Sequence, residues 1–382
     1  MEENKKLNTA PTAEELEVPP TKKNREPLFH IAKRDVTDNK TPFIVRGAAV
    51  LISFLVITII TLLLVDTNPI EFVGLMFSGS FGTFKRILNL LQKLAILLCI
   101  SLALAPAFKM RFWNTGAEGQ VLIGGLACAA CMICLDSVPD ALLIPIMALA
   151  AIAAGAIWAL IPAIFKAYFG TNETLFTLMM NYVAIQLIAY LATIWENPKG
   201  SGHIGVIPSG HFPKLFGQHY IINILVVILV TLAMYVYLKY SKQGYEIDVV
   251  GESENTARYI GINVKKVIIR TMAISGAICG VAGLLLVGGT DHTITANTAG
   301  GQGFTAIMVT WLAKFNPVYM ILTAFLIVFL EAGAGEVVSK FSNSLNGSYA
   351  DILTGIVLFF IIGSEFFLRY QIKLRKKQEG VK

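Results

Sequence analysis

Charged side chains are scarce in this 382-residue sequence, at 15% against 55% hydrophobic residues. Ordinary soluble domains are about one quarter charged, so so thin a polar surface excludes a water-soluble globular fold. Cysteine and histidine are equally sparse, with five of each. Cys99, Cys128, Cys131, Cys134 and Cys279 all fall in apolar stretches, which argues against a disulfide framework. The Cys128-x-x-Cys131-x-x-Cys134 run has metal-like spacing, but its neighbours are Ala, Met, Ile and Leu, and helix packing explains it more simply. Catalytic signatures are missing as well. There is no G-x-x-x-x-G-K-[ST] phosphate loop, no H-E-x-x-H and no G-x-S-x-G, so neither ATP hydrolysis nor other hydrolytic chemistry is expected of this chain. The net charge of +6 is spread between apolar stretches instead of forming one patch with interleaved aromatics, and nucleic acid is not an expected partner.

What the sequence does have is long apolar runs. A hydrocarbon core of roughly 30 Å takes about 20 helical residues per crossing. Runs of that kind recur from Arg46 to Tyr370. They predict an all-α integral membrane protein, a polytopic domain over 46–370 in contact with lipid, with about ten transmembrane helices. The expected spans are 47–65, 87–108, 120–135, 142–165, 175–195, 220–238, 267–287, 318–330 with some extension, and 352–368. Phe304–Ala313 is apolar but only about half a bilayer long, so it reads as a half-helix paired with re-entrant chain. Residues 66–86, rich in Gly, Ser and Phe, read as a connection, and 196–219, with its Gly, Pro and His, as an exposed loop.

Counting Lys and Arg in the short loops puts the basic segments on one side and the sparser, more acidic loops on the other. Both termini are therefore expected in the cytoplasm. The polar, Pro-containing residues 1–45 read as a disordered tail, and 371–382 as a basic tail. Asn114-Thr-Gly-Ala-Glu-Gly-Gln120 echoes Asn297-Thr-Ala-Gly-Gly-Gln302. Five crossings between the copies would invert one relative to the other, giving two five-helix inverted repeats with broken or re-entrant helices.

Polar residues inside apolar chain mark the candidate chemistry. Glu118 and Gln120 either face a wet cavity, brace a broken helix, or belong to a cytoplasmic turn that caps the third span. Glu173 suits the start of the fifth span, where the helix dipole favours a carboxylate. Asn181, within that span, needs a partner from another helix or from a polar cargo. Lys93 lies in mid-span and is a pore candidate, because an ionised amine there must be paired or wet. Outside the spans, the polar segment 241–266 contains a short helix over Ser253–Ile260, bracketed by Gly251 and Gly261 and suited to docking on another protein.

Several separated motifs resemble one family, the membrane permeases of bacterial ATP-binding-cassette (ABC) importers for simple sugars and nucleosides, and its nucleoside branch above all. Trp113-Asn-Thr-Gly-Ala-Glu-Gly-Gln120 resembles that branch's F-N-I-G-V-E-G-Q, and Gly170-Thr-Asn-Glu173 with Met180-Asn181-Tyr182 resembles G-T-N-E and L-N-Y. Gly251 to Ile262 resembles G-E-N-P-x-A-A-R-Y-A-G-I, and Gly301-Gln-Gly-Phe-Thr-Ala306 with Asn316-Pro317 resembles G-x-G-F-x-G-I and N-P. The chain departs from the pattern at Trp113 for Phe, Thr115 for Ile, Ser253-Glu254 for Asn-Pro, and Trp311-Leu-Ala313 for a Leu-Leu-Gly ending.

The resemblance implies a permease subunit in the bacterial plasma membrane that translocates nucleosides. Its implied partners are a second, similar permease, a cytoplasmic ABC ATPase holding ATP and Mg, and an extracellular substrate-binding lipoprotein; the chain itself needs no cofactor. A simple sugar of the ribose or galactose type is the alternative cargo, and an ion-coupled secondary carrier is the reading from another class. Asn114, Glu118, Gln120, Asn181 and Asn297 are the residues expected to line or gate the pathway. Gly251, Glu252, Ala257, Arg258 and Gly261 are those expected to couple to the ATPase.

Overall fold

The computed structural model describes residues 29–33, 41–65, 67–202, 204–215, 217–218 and 220–374. Contacts divide the chain into two units, residues 1–48 with 363–382, and residues 49–362. In the smaller unit, strand β1 (Phe29–Lys33) pairs antiparallel with β2 (Tyr370–Leu374), Phe29 opposite Leu374, and Arg46 forms an ion pair with Glu365. Of the expected tails 1–45 and 371–382, residues 29–33 and 371–374 are thus extended and paired and 41–45 are helical, whereas 1–28, 34–40 and 375–382 lie outside the described residues.

The remaining elements are helical. They are α1 (Thr41–Leu64), α2 (Pro69–Phe81), α3 (Phe84–Lys109), α4 (Ala117–Cys134), α5 (Asp140–Phe169), α6 (Glu173–Ile194), α7 (Ile221–Tyr240), α8 (Lys242–Glu252), α9 (Glu254–Tyr259), α10 (Val264–Leu286), a π-helical turn (Val287–Asp291), α11 (Gln302–Leu312), α12 (Pro317–Lys340) and α13 (Ser348–Arg369). Among the described residues nine helices are long and apolar enough to cross a membrane, and α11 is the expected half-helix.

Three of the nine, α3, α4 and α10, form the interior, with most of their residues buried among the other helices. α10 crosses α5 and α4 closely. A methyl group at Gly276 would collide with the Gly155 carbonyl, and one at Gly280 with that of Ala151, so backbone meets backbone as in other membrane helix pairs. α1, α5, α6 and α7 are mostly exposed and carry their apolar side chains outward.

Interhelical contacts fix the directions. Gln92 bonds Thr290 and the Cys99 thiol faces the Ile278 carbonyl, so α3 and α10 run antiparallel. Arg86 pairs with Glu336 at 2.8 Å, near the start of α3 and the end of α12, so α12 also opposes α3. α10 and α12 are therefore parallel, and the chain between them must return the full thickness of the bundle. α11 supplies only part of that return; its Thr310 hydroxyl donates to the Ser101 carbonyl of α3 at 3.0 Å. At ~1.5 Å per residue, the start of α11 lies about 12 Å from that bond, with Gly303 buried inside the helix bundle.

The structure corrects two expectations. Residues 69–81 are a helix, not a connection: Phe72 and Met76 are fully buried, and Gly79 lets α2 press onto Ala332 and Gly333 of α12. The small residues that suggested a loop are what permits the close crossing. Within 196–219, Ile204, Ile207 and Phe212 are buried, and the loop is pinned by backbone bonds from Ile207 N to the His292 carbonyl (2.9 Å) and from Phe212 N to the Gly288 carbonyl (3.1 Å). Its spaced apolar residues seat it on the bundle.

Candidate functional site

The loop from Met110 to Gly116 turns back beside the Lys109 end of α3 and leads into α4. Asn114, fully buried, donates through Nδ2 to Gln120 Oε1 (3.4 Å) and Ser275 Oγ (3.3 Å). Its Oδ1 accepts from the Gly116 amide (3.0 Å) and from Gln120 Nε2 (3.1 Å). The two amides satisfy each other, as buried polar groups must. Asn181 on α6 clamps the same loop from the other side: its Oδ1 accepts from Gly119 N and its Nδ2 donates to the Thr115 carbonyl, both at 2.8 Å. Thr177, one helical turn earlier, accepts from the Thr115 amide at 3.2 Å.

Glu118, in the first turn of α4, reaches across to α11. Its two carboxylate oxygens accept the backbone N–H groups of Gly301 and Gly303, each at 2.7 Å. Those are orphan donors at a helix N-terminus, and a carboxylate there gains both charge-assisted bonds and a favourable dipole. Gly303 has no alternative, since a Cβ would sit 2.5 Å from the Glu118 nitrogen. The two motifs that echo each other in sequence thus begin two helices whose first turns touch.

Of the five residues expected to line or gate the pathway, Asn114, Glu118, Gln120 and Asn181 are buried and bonded within the protein, whereas Asn297 is exposed in the loop before α11. Lys93 is exposed on α3, while its neighbour Gln92 turns inward to Thr290. Glu331 of α12 lies within electrostatic reach of Lys93. Ser275 and Thr177, which complete the network, sit in sequence stretches with no motif of their own.

At the Lys109 end, the docking segment is two helices instead of one. Ser241 caps α8 through Gly244 N (2.9 Å) and Ser253 caps α9 through Thr256 N (3.2 Å). Gly251 lies in the last turn of α8 against the Lys109 carbonyl, where a methyl group would not fit, and Ala257 is fully buried. Glu252 and Gly261 are exposed, and Gly261 has φ +85°. Arg258 is exposed and pairs with Glu254 at 3.2 Å. Two further ion pairs tie α8 to the interior helices: Lys109 of α3 to Asp248 (2.7 Å) and Arg270 of α10 to Glu246 (2.9 Å). Outward, the pair of helices shows Tyr259, 93% exposed, and Ile260.

At the opposite end, in the loop after α6, the Gly200 and Gly202 amides hold the Glu196 carboxyl below its usual range. His211 stacks on His292; His203 and His219 lie outside the described residues.

Residues 86–362 match the family described as branched-chain amino acid transport system / permease component. The chain is 28% identical over 339 residues to the glucose ABC transporter permease protein TsgB13 of Haloferax volcanii, covering 84% of this chain and 87% of that one. It is 29% identical over 311 residues to the guanosine ABC transporter permease protein NupP of Bacillus subtilis, with 79% and 88% coverage. It is also 25% identical over 342 residues to the nucleoside ABC transporter permease protein NupB of Lactococcus lactis, with 85% and 92% coverage.

Proposed function

Because this chain belongs to the branched-chain amino acid transport system / permease component family and is the membrane-embedded permease of an ABC importer, we propose that its cargo is a nucleoside. The similarity to guanosine and nucleoside permeases along most of their length carries that reading. A sugar is the second reading, supported by the similarity to a glucose permease. Uptake of radiolabelled adenosine, guanosine, ribose and glucose by cells producing the importer decides between them. Accumulation of a sugar that excess nucleoside does not compete would overturn the nucleoside assignment.

In this mechanism the permease pairs with a second, homologous subunit and lies in the plasma membrane with the Lys109 end of α3 in the cytoplasm. A partner ATPase, holding ATP and Mg, docks on α8 and α9 through Glu252, Arg258 and the exposed Tyr259. Gly251 and Ala257 seat the two helices on the bundle, and Gly261 ends them. An extracellular lipoprotein delivers the cargo at the other end. Movement of α8 passes to α3 and α10 together, because Asp248 and Glu246 hold one each. Since α3 leads directly into the Asn114 loop, the joint between α4 and α11 moves with it. Asn114, Gln120 and Asn181 keep that loop in shape, Glu118 keeps the first turns of α4 and α11 in register, and Asn297 meets the cargo from the exposed loop. Lys93, exposed on α3, keeps that side wet.

A further inference from the structure

Trp113 and Trp311 are far apart in sequence, yet their indoles stack with ring centroids 5.1 Å apart and planes 24° from parallel. Phe108 supports the pair from below, edge-on to Trp113 at 6.0 Å and tilted to Trp311 at 5.8 Å, and is itself buried. The indoles are not: Trp113 is 45% and Trp311 43% exposed. The two indoles meet face to face and form one feature of this chain.

Their surroundings tell which medium they face. Trp311 is the last of three exposed residues, Phe304, Met308 and Trp311, on one stripe of α11 at i, i+4 and i+7. That stripe starts at the broken end of the helix, beside exposed irregular chain around Asn297 and Gly300. Irregular chain is not tolerated exposed to hydrocarbon. The face that carries the stripe therefore adjoins water and not lipid, and the indole pair lies where that face reaches the Lys109 end of the bundle.

We propose that Trp113 and Trp311 form a stacking site for the planar base of the cargo on its way out of the pathway. The inference rests on the nucleoside reading and adds to it a site and a means of selection. A flat heterocycle gains from an aromatic platform whatever its edge pattern, so the site accepts different bases and rejects a bare sugar. The importer, assembled with both permeases, ATPase and lipoprotein in vesicles, is irradiated with 8-azidoadenosine. The expected result is labelling of the peptides around Trp113 or Trp311, displaced by adenosine and not by ribose. Trp311→Leu should cut that labelling about tenfold, while Trp311→Phe, which keeps a ring, should retain most of it. Labelling indifferent to Trp311→Leu while adenosine uptake persists overturns the stacking site and leaves the nucleoside reading intact. Loss of the partner permease from purified Trp311→Leu complex would also overturn it, by making the indoles a subunit contact. If the wild-type vesicles accumulate no nucleoside, the cargo reading fails and this site falls with it.

Discussion

Glu118 joins the beginning of its own helix to that of α11, 183 residues away at Gly301, and it does so with both carboxylate oxygens. Bonds to a charged group are worth about 1.5–3 kcal/mol each, and more is lost when the donors left behind are buried. Glu118→Gln keeps one acceptor and turns an amide N–H₂ toward a backbone N–H, so it should lower the thermal midpoint of the purified permease by several degrees and cut uptake at least tenfold at normal expression. Wild-type uptake in Glu118→Gln would remove the brace from the mechanism. Asn181→Ala strands the Gly119 amide and the Thr115 carbonyl at once, and about 1–3 kcal/mol of destabilisation is expected in a denaturation assay. That Glu118 and Asn181 matter could be seen from their place in apolar chain, since a polar group there must be satisfied. Their partners could not, because the bonds go to backbone groups of Gly301, Gly303, Gly119 and Thr115, which every residue type carries.

The α8–α9 pair is held to the bundle by the buried Ile247, Val250 and Ala257, by one tight backbone approach at Gly251 and by two partly exposed ion pairs. Pairs of that kind contribute roughly 0–1 kcal/mol, too little to stabilise the fold, so their value lies in transmitting direction. Replacing Lys109 by Asp should therefore uncouple the importer, with ATPase activity retained and transport reduced severalfold; adding Asp248→Lys should restore part of it in a double-mutant cycle. Gly251→Val should act more severely, by lifting α8 off the Lys109 carbonyl, and copurification of the ATPase would fall with transport. The capped helix at Ser253 was readable from its own residues, and so was the half-length of α11. α2 was not, because Gly74, Ser78 and Gly79 have the composition of a loop and become helical only when Phe72, Met76 and Ser80 find α12 to pack against.

For the complete permease, the orientation can be checked directly. With the native cysteines replaced, a thiol introduced as Tyr259→Cys should react with a membrane-impermeant maleimide in inside-out vesicles and not in intact cells. The reverse pattern would turn the proposed topology over. Membrane residence, the approximate number of crossings and the family were all legible along the chain. Bilayer thickness sets a length that an apolar run either has or lacks, and the family motifs are local strings. The interior position of α3, α4 and α10, the meeting of α4 with α11, and the joining of Trp113 to Trp311 were not, because each depends on which distant segments become neighbours. In a membrane that choice turns on backbone fit at small residues and on buried polar bonds, and neither the four-residue spacing of Gly276 and Gly280 nor a buried amide names its distant partner.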